Sequence, residues 1–435
     1  MTHFHQIIQE LNSFLWSAPL IILLMGTHLF YTLRLGFIQR KVGTGIRLSV
    51  QKEEGHEGEV SAFAGLATTL AATLGTGNIV GISTAVAFGG PGAIFWCWLT
   101  GVLGMATTYA ECYLSFLYRK RMEDGSYVGG PMYMLEKGLH LKPFANLFCI
   151  CTLLASFGVG CSTQSKAITE TAHTLWGCNK YVVAILAAIV TGLVILGGVK
   201  KIGSICTKLV PAMGAFYILG CLIILVMNYN TVVPAFGLIV KSAFQSRSVA
   251  GGFIGSSMML AARQGIAKGL FTNEAGLGSA GITAAVSKSP KPERQALISM
   301  TATFWDTVVM CAITGLVIVS TILKNPSSIE GYSFAEYTTA AFEQIPYVGT
   351  LILGISLICF ALATLIGWSY FGEKAAQYLF GKKSIRLYQL VYMLAIFIGS
   401  IISLELVWDM TDTFNAFMAL PNILALLLLY KKVNV

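Results

Sequence analysis

Long apolar runs separated by short polar loops recur along the whole chain. Runs long enough to cross about 30 Å of hydrocarbon predict eleven membrane-spanning helices, near residues 14–33, 61–88, 92–118, 144–173, 181–198, 209–228, 250–270, 296–323, 346–371, 387–404 and 408–430. The second run is interrupted near its middle by Gly75, Thr76, Gly77 and Asn78. Because each glycine costs a helix about 1 kcal/mol relative to alanine, and asparagine favours local bonds to the backbone, we expect the helix to break there.

An interrupted helix inside a bilayer leaves backbone N–H and C=O groups that need hydrogen-bond partners. Unwound backbone is tolerated there only where protein encloses it or where it lines a watery cavity. Its N–H groups and the positive end of the following half-helix can hold a carboxylate, while carbonyls at the end of the preceding half-helix can hold a cation. A kinked packing helix, whose glycines admit a close neighbour, explains the same residues. The segment alone leaves both interpretations open.

Composition indicates a polytopic α-helical membrane protein. Hydrophobic residues make up 55% of the 435 and charged residues only 11%, and the mean hydropathy is +0.71. Only His3 and His5 could add positive side-chain charge before the first run, and no Ala-x-Ala cleavage site follows it. We therefore expect a permanent first helix and not a cleaved signal peptide.

The placement of lysine and arginine predicts the orientation in the membrane. Of the 29 such residues, all but six fall in loops on one face, Lys268 among them. The opposite face receives Lys180, Lys241, Arg247 and Lys324, while Lys166 and Arg263 fall inside predicted spans. Because basic loops stay in the cytoplasm, we expect the N-terminus outside and the C-terminus inside. The net charge of +9 is then a topology signal and not a footprint of nucleic-acid binding.

No motif for catalysis or for a transition metal is evident. The ten cysteines lie in or beside apolar runs, and the spacing of Cys149 and Cys151 suits neither a zinc site nor a redox dithiol. The six histidines have no metal-ligand spacing, and no Gly-x-Ser-x-Gly elbow or Walker-type loop is present. We therefore predict that the protein is not an enzyme and not an ATP-driven pump.

The stretch 51–59 contains four glutamates, which indicates a solvated cytoplasmic linker. It divides the chain into an extra N-terminal helix with its linker, 1–60, and a ten-helix core, 61–435. Ten core helices suggest two five-helix halves of opposite orientation. The seventh span should then be broken like the second, at Arg263 and Gln264 with the glycines that follow. Asn273 and Glu274, in a glycine-rich segment just beyond, cannot face lipid without large cost.

At this level of detail the chain resembles the alanine or glycine:cation symporters, also called sodium:alanine symporters, of the amino acid-polyamine-cation superfamily. The resemblance extends over most of the chain and rests on Ala72–Gly81, Gly89–Trp96 running to Gly104–Glu111, Gly129–Tyr133, and Gly269–Ser279. The sequence departs from the family pattern at Thr272, where serine is expected, and at Gly281, where proline is common. These departures bear on loop geometry more than on function.

The resemblance implies a leucine-transporter-like fold, all α-helical, with a 5+5 inverted repeat and one extra N-terminal helix. It also implies sodium-coupled uptake of a small neutral amino acid, such as alanine or glycine, across the cytoplasmic (inner) membrane by alternating access. Partners would be the amino acid, the sodium ion and membrane lipid, without nucleic acid. The identity of the amino acid, its stereochemistry, the ion stoichiometry and the oligomeric state lie beyond what the sequence predicts.

The resemblance also implies which residues form the site. The backbone of Gly75, Thr76 and Gly77 should receive the substrate carboxylate, and Asn78 should orient the site or contact the substrate. A sodium ion should be held by carbonyl and hydroxyl oxygens, the ligands that hard cations prefer, from Ala71, Leu74, Ala361 and Thr364. Leu365 stands where the leucine transporter offers a further hydroxyl, which implies fewer side-chain ligands and weaker sodium affinity.

Other polar or aromatic residues in the spans allow two interpretations. Gln164 and Gln264 could bind substrate or could form bonds between helices. Trp368 could wall the pocket or serve only in packing. Carboxylates inside membranes are functional by default, but for Glu111, Glu274 and Asp306 we favour structural ion pairs or gating over substrate contact.

Two other classes of function remain open from sequence. A proton-coupled or exchange-type carrier of another neutral amino acid, such as serine or glutamine, would share the fold, would work without sodium, and would depend on a buried carboxylate such as Glu111. A receptor or membrane enzyme would bind without accumulating its ligand, and no catalytic constellation in the sequence supports that class.

Overall fold

The computed structural model describes residues 3–16, 18–51, 57–245, 258–401 and 405–434. Its helices, in chain order, are α1 (His3–Leu15), α2 (Ala18–Arg34), α3 (Val42–Ser49), α4 (Ala62–Thr73), α5 (Val80–Gly89), α6 (Gly92–Leu117), α7 (Pro131–Tyr133), α8 (Lys142–Phe157), α9 (Thr163–Trp176), α10 (Lys180–Ile195), α11 (Gly198–Met227), α12 (Tyr229–Ser242), α13 (Met258–Asn273), α14 (Ser279–Val286), α15 (Pro292–Ser299), α16 (Thr301–Thr303), α17 (Ala312–Lys324), α18 (Tyr337–Phe342), α19 (Gly349–Phe380), α20 (Ser384–Ile401) and α21 (Glu405–Leu429).

Short 3₁₀ and π segments adjoin these helices. The 3₁₀ turns are Ile38–Lys41, Thr76–Asn78, Pro326–Ile329 and Tyr430–Lys432. The π segments are Met134–Gly138, Gly158–Ser162 and Phe304–Cys311, and the last two lie inside membrane-length helices. Such wide turns are frequent at functional sites.

The helices are long and apolar enough for a multi-pass membrane protein. Within the described residues, seven helices could cross a membrane, and up to nine if each of two bent pairs is one span. Lys180–Ile195 is a shorter apolar helix. The predicted span 250–270 begins outside the described residues, so the count of eleven stays a prediction.

The predicted interruption of the second span is confirmed. Helix α4 ends at Thr73, the 3₁₀ turn covers Thr76–Asn78, and α5 begins at Val80. The two halves are bent by 62°. Gly75 lies between them in an extended conformation, with φ −126° and ψ −160°. We call the segment 74–79 the first break.

The seventh span is also interrupted, but its predicted position was wrong. Helix α13 continues without interruption through Arg263, Gln264 and Lys268 to Asn273, and the chain leaves the helix only over 274–278. We call that segment the second break. Lys268 therefore lies within a helix and not in a cytoplasmic loop.

Close packing explains why the α13 glycines remain helical. A Cβ on Gly265 would lie 2.1 Å from the carbonyl oxygen of Ala93, and one on Gly269 would lie 2.1 Å from Thr100 Oγ1. These glycines let α13 approach α6, the role that small residues take between membrane helices. Left-handed backbone appears only afterwards, at Glu274 (φ +53°), Gly276 (φ +86°) and Gly278 (φ +100°).

Two short strand pairs lie at the ends of the helices. Strand β1 (Val60–Ser61) pairs in parallel with β4 (Ser287–Lys288), with Val60 opposite Ser287. The start of α4 is thereby joined to the end of α14. Strands β2 (Lys120–Arg121) and β3 (Tyr127–Val128) form an antiparallel hairpin.

Helix α4 is held closely between α14 and α19, which fixes the position of the first break. The hydroxyls of Thr69 and Thr283 are 2.6 Å apart. On the other side, a Cβ on Gly367 would lie 2.6 Å from the backbone nitrogen of Ala72. The backbone just before the break therefore packs directly against α19.

Candidate functional site

The first break is shaped by the side chain of Asn78. Its Oδ1 accepts a hydrogen bond from the Gly75 N–H (3.0 Å), and its Nδ2 donates to Asp306 Oδ1 (2.7 Å). Nδ2 also lies 3.3 Å from the Asp306 carbonyl oxygen and 3.4 Å from Cys311 Sγ. Asn78 is fully buried, and these bonds use both ends of its amide. Of its two predicted roles, the geometry fits orientation of the site.

The break leaves two backbone amides without a protein acceptor. In the described part of the chain, the N–H groups of Thr76 and Gly77 have no hydrogen-bond partner, whereas those of Asn78 and Ile79 bond back to Gly75 and Thr76. Both free amides lie beside the N-terminal end of α5, where the helix dipole favours negative charge. Buried amides without partners are costly, so a ligand that accepts their hydrogen bonds would stabilise this conformation.

Thr76 and Gly77 line a cavity of about 450 Å³. The cavity extends along α5 and α13 towards α1, which is the side predicted to be extracellular. Its lining comprises Asn12, Trp16, Thr76, Gly77, Val80, Gly81, Thr84, Thr163, Gln164, Arg263, Gln264, Ala267, Lys268, Phe271, Thr272 and Asp412. Both predicted glutamines, Gln164 and Gln264, therefore reach the same cavity as the first break.

Gln164 faces the break from α9, directly after the π segment Gly158–Ser162. Its Nε2 donates to the Val159 carbonyl (3.2 Å) and to Thr163 Oγ1 (3.3 Å). Its Oε1 is buried and has no partner among the described residues. A Cβ on Gly75 would lie 3.6 Å from that oxygen. An unpaired buried acceptor so close to the free amides is suited to an ammonium group of a ligand.

The predicted cation ligands lie on the other side of the break. Thr364 Oγ1 in α19 is 3.3 Å from the Leu74 carbonyl oxygen and 3.1 Å from the Phe360 carbonyl oxygen. The Gly75 N–H bonds to Asn78 and so does not return to the carbonyl of Ala71, as a continuous helix would require. Ala361 and Thr364 are both buried in α19. The oxygens of this set fit a hard cation in type.

Gly75 itself separates the two groups of ligands. A Cβ at this position would lie 2.8 Å from Thr364 Oγ1 and within 3.7 Å of both polar atoms of Gln164. Glycine is therefore the residue that allows α19 and α9 to approach the same stretch of backbone. An alanine here would displace at least one of the two polar side chains.

The second break is already occupied by a carboxylate of the protein. Glu111 Oε2 accepts a hydrogen bond from the Gly278 N–H, and Oε1 accepts one from the Gly281 N–H, both at 3.1 Å. Asn422 Nδ2 donates to Oε2 (3.1 Å) and to the Gly276 carbonyl (2.9 Å). Glu111 thus satisfies the N-terminal end of α14, the position that a ligand could take at the first break.

Glu274, at the start of the second break, is held by Trp368. The Trp368 Nε1–H donates to Glu274 Oε1 (3.0 Å), and the Ser279 hydroxyl donates to Oε2. Trp368 is fully buried and packs against Gly160, where a Cβ would lie 2.3 Å from the Trp368 Cβ. It is not among the residues that line the described cavity, and its hydrogen bond supports the second break; a contact with substrate stays a prediction.

The three buried carboxylates do not form the expected ion pairs. In the part of the chain that the structure describes, Glu111, Glu274 and Asp306 accept hydrogen bonds from amides, hydroxyls and an indole. The Thr307 hydroxyl, for example, donates a hydrogen bond to Asp306 Oδ2 (2.7 Å). Neutral donors satisfy a buried acceptor without the cost of burying a second charge.

Sequence reasoning missed Asn422 and the place of Lys268 in the cavity. An asparagine next to Pro421 in a late apolar run gives no sign that it contacts Glu111, which lies 311 residues earlier in the chain. For Lys268 a signal existed, because the cavity-lining positions 264, 267, 268, 271 and 272 follow one helical face.

The overall fold resembles that of a solved protein of low sequence identity. It superposes on the crystal structure of MhsT in complex with L-phenylalanine with a TM-score of 0.59, at 16% sequence identity, covering 86% of this chain and 90% of that one. Together with the interrupted helices, this likeness defines a multi-pass α-helical fold of the leucine-transporter type.

The family follows from sequence. The model of the sodium:alanine symporter family matches residues 1–435, and the chain belongs to that family. It is 45% identical over 433 residues to the sodium/alanine symporter AgcS of Methanococcus maripaludis, covering 98% of this chain and 95% of the relative. It is 44% identical over 429 residues to an uncharacterised transporter of Haemophilus influenzae, covering 98% and 93%. The predicted family, symporter class and fold class are thereby confirmed.

Proposed function

We propose that this protein imports a small neutral amino acid, such as alanine or glycine, together with sodium across the cytoplasmic membrane. The observation that carries this proposal is the first break. Free backbone N–H groups, an unpaired buried amide oxygen and a set of cation-type oxygens meet there within one short stretch of backbone. A zwitterionic amino acid and a sodium ion complement these groups.

The substrate carboxylate would accept hydrogen bonds from the Thr76 and Gly77 N–H groups at the start of α5. Its ammonium group would donate to Gln164 Oε1, which has no other donor among the described residues. Thr272 and Phe271 lie beyond Gly77, with Thr272 Cγ2 3.6 Å and Phe271 Cδ1 3.9 Å from a Cβ placed there. These side chains would then border a small substrate side chain.

The sodium ion would be held by the carbonyls of Ala71, Leu74 and Ala361 and by the Thr364 hydroxyl. The 3.3 Å contact between Thr364 Oγ1 and the Leu74 carbonyl supports this set. Leu365 is buried and offers no side-chain oxygen, which favours modest sodium affinity. The Thr364 hydroxyl, now bonded to carbonyls, would turn its lone pairs towards the ion.

Coupling would follow from the shared backbone. Residues 71–74 carry the proposed cation ligands and residues 75–77 carry the proposed carboxylate ligands, so the order of one segment determines both affinities. Two ligands that favour the same conformation bind cooperatively. One sodium ion crossing 100 mV releases about 2.3 kcal/mol, enough for a roughly 50-fold concentration of a neutral solute.

Uptake of radiolabelled alanine into proteoliposomes with an imposed sodium gradient tests the proposal. The wild type should accumulate alanine only with sodium. Thr364→Val should raise the sodium concentration for half-maximal uptake about tenfold, because one ligand oxygen is lost, and Thr364→Ser should restore it to within about threefold. Sodium-independent accumulation by the wild type would contradict the coupling and favour a proton-coupled or exchange-type carrier.

A matched pair of glycine variants tests the substrate site. Gly75→Ala places a methyl group against Thr364 and Gln164 and should abolish uptake. Gly214→Ala, at a buried position in α11 where nothing lies within 4 Å of the new Cβ, should transport normally. Equal transport by the two variants would contradict the site at the first break.

A further inference from the structure

Two cationic side chains line the outer part of the cavity, and the proposed site does not use them. Lys268 is half-buried and Arg263 is exposed at the mouth. Among the described residues, neither has a hydrogen-bond or ion-pair acceptor. Asp412 is the one carboxylate in the lining, and its backbone carbonyl accepts a bond from Trp16 Nε1 at 3.0 Å. The lining therefore carries a net charge of +1.

Lys268 lies one helical turn outward of the first break. The Thr272 hydroxyl bonds to the Lys268 carbonyl (2.5 Å), as expected for residues four apart in α13. Thr272 in turn borders Gly77, one of the two residues with a free amide. A ligand that moves from the mouth to the break along α13 therefore passes Arg263 first, Lys268 second and the free amides last.

A cation at this depth needs a counter-charge. Lysine and arginine inside membrane segments are rare, pair with other groups and mark pathways for ligands. A narrow cleft with low-dielectric walls also concentrates the field of its charges and raises the local concentration of oppositely charged ligands. The same cavity contains the unpaired acceptor Gln164 Oε1. The cavity therefore offers a ligand both cationic donors and an acceptor.

We propose that Lys268, with Arg263 at the mouth, forms an anion-binding site in the outer half of the cavity. This site binds a carboxylate, that of the amino acid on its way to the first break, or a halide ion. As a step on the substrate's path it rests on the proposed function. As a site for a monovalent anion it can be tested without transport.

The first experiment compares uptake by three variants in proteoliposomes. Lys268→Gln should raise the KM for alanine about tenfold, the loss expected for one charge-assisted hydrogen bond, with little change in kcat. Lys268→Arg should return the KM to within about threefold. Lys180→Gln, which removes an exposed lysine outside the cavity, should leave it unchanged. An unchanged KM in Lys268→Gln, or the same rise in Lys180→Gln, would overturn the amino-acid pathway through this site.

Replacing external chloride with bulky isethionate separates the two ligands. If the amino-acid carboxylate is the ligand, wild-type uptake should be indifferent to the exchange. If a halide is the ligand, wild-type uptake should fall without chloride and uptake by Lys268→Gln should not respond. A chloride dependence that Lys268→Gln retains in full would overturn the halide assignment.

Thermal unfolding of the purified protein separates failure of this site from failure of the proposed function. Propionate carries the carboxylate of alanine without the ammonium group. Sodium propionate or sodium chloride should raise the unfolding temperature of the wild type more than that of Lys268→Gln, whether or not alanine is transported. Equal shifts in the two proteins, with both salts, would overturn the anion site even if sodium-dependent uptake of alanine is found.

Discussion

The two interrupted helices solve the same physical problem in different ways. At the second break, Glu111 accepts hydrogen bonds from two backbone N–H groups at the start of α14, so the protein itself supplies the anion. At the first break, the N–H groups of Thr76 and Gly77 have no acceptor among the described residues and face a cavity. An interruption is therefore structural where a side chain of the protein accepts the hydrogen bonds of the freed N–H groups. Where no side chain does so, the N–H groups are available to a ligand.

The two breaks also differ in the number of side chains that support them. Asn78 connects the first break to Asp306 through a single amide, while the second break is held by Glu111, Glu274 and their donors, Asn422, Trp368 and Ser279. Rigid support on one side and open donors on the other suit a transporter that moves around a fixed site. Variants of these residues test whether the two breaks differ in this way.

The largest effect is expected from Asn78→Ala. It leaves the Gly75 N–H and Asp306 Oδ1 without their partners and frees the backbone that positions the Thr76 and Gly77 amides. Uptake should fall by about 100-fold or more, because displacement of a site by about 1 Å has effects of that size. The measurement is initial alanine uptake in proteoliposomes, with exposed Asn325→Ala as control. Normal uptake by Asn78→Ala would remove the first break from the site.

Glu111→Gln should act mainly on stability. The new amide group places a donor against a backbone N–H or against Asn422 in a fully buried position. A loss of about 2–4 kcal/mol in the free energy of unfolding is expected, seen as a lower unfolding temperature in detergent. Glu123→Gln, at an exposed position in the hairpin of β2 and β3, is the matched control. A stable Glu111→Gln variant would show that the second break does not need its own anion.

Trp368→Phe should have a smaller effect at the same break. It removes the indole donor to Glu274 Oε1 but leaves the Ser279 bond to Oε2. The expected loss is about 1–2 kcal/mol, measured by unfolding beside Trp176→Phe, an exposed tryptophan. If Trp368→Phe instead changes the KM for alanine with no loss of stability, Trp368 contacts substrate and not only the second break.

The smallest effect is expected from Lys382→Gln at the protein surface. The Lys382 ammonium bonds to Asp124 on the hairpin and, with the Ser126 donors, holds the pKa of Asp124 below its ordinary range. A depressed pKa adds stability above the ordinary pKa of aspartate, and that stability is lost as pH falls through the folded value. Both side chains are largely solvated, so the contribution is small.

The unfolding temperatures of wild type and Lys382→Gln should therefore differ slightly at pH 7, and the difference should shrink as the pH falls below the ordinary pKa of aspartate. A difference at pH 7 as large as that of Glu111→Gln would contradict the small contribution expected of an exposed ion pair.

The membrane class, the family and the first break follow from the sequence. Apolar runs and the composition indicate a chain surrounded by lipid, and the motif residues 75–78 disfavour a helix because glycine and asparagine act through local backbone energetics. The same local logic failed at Gly265 and Gly269, which remain helical because α6 packs against them.

Packing between helices determines which break is occupied by a side chain of the protein and which is open to the cavity. Glu111 and Asn422 are 311 residues apart, and Gln164 meets Gly75 across different helices. Hydrogen bonds depend on distances of a few tenths of an ångström, and no periodicity along the chain encodes such distances between remote segments. Local patterns thus predicted where the backbone leaves the helix, and packing between distant helices decided what its freed groups contact.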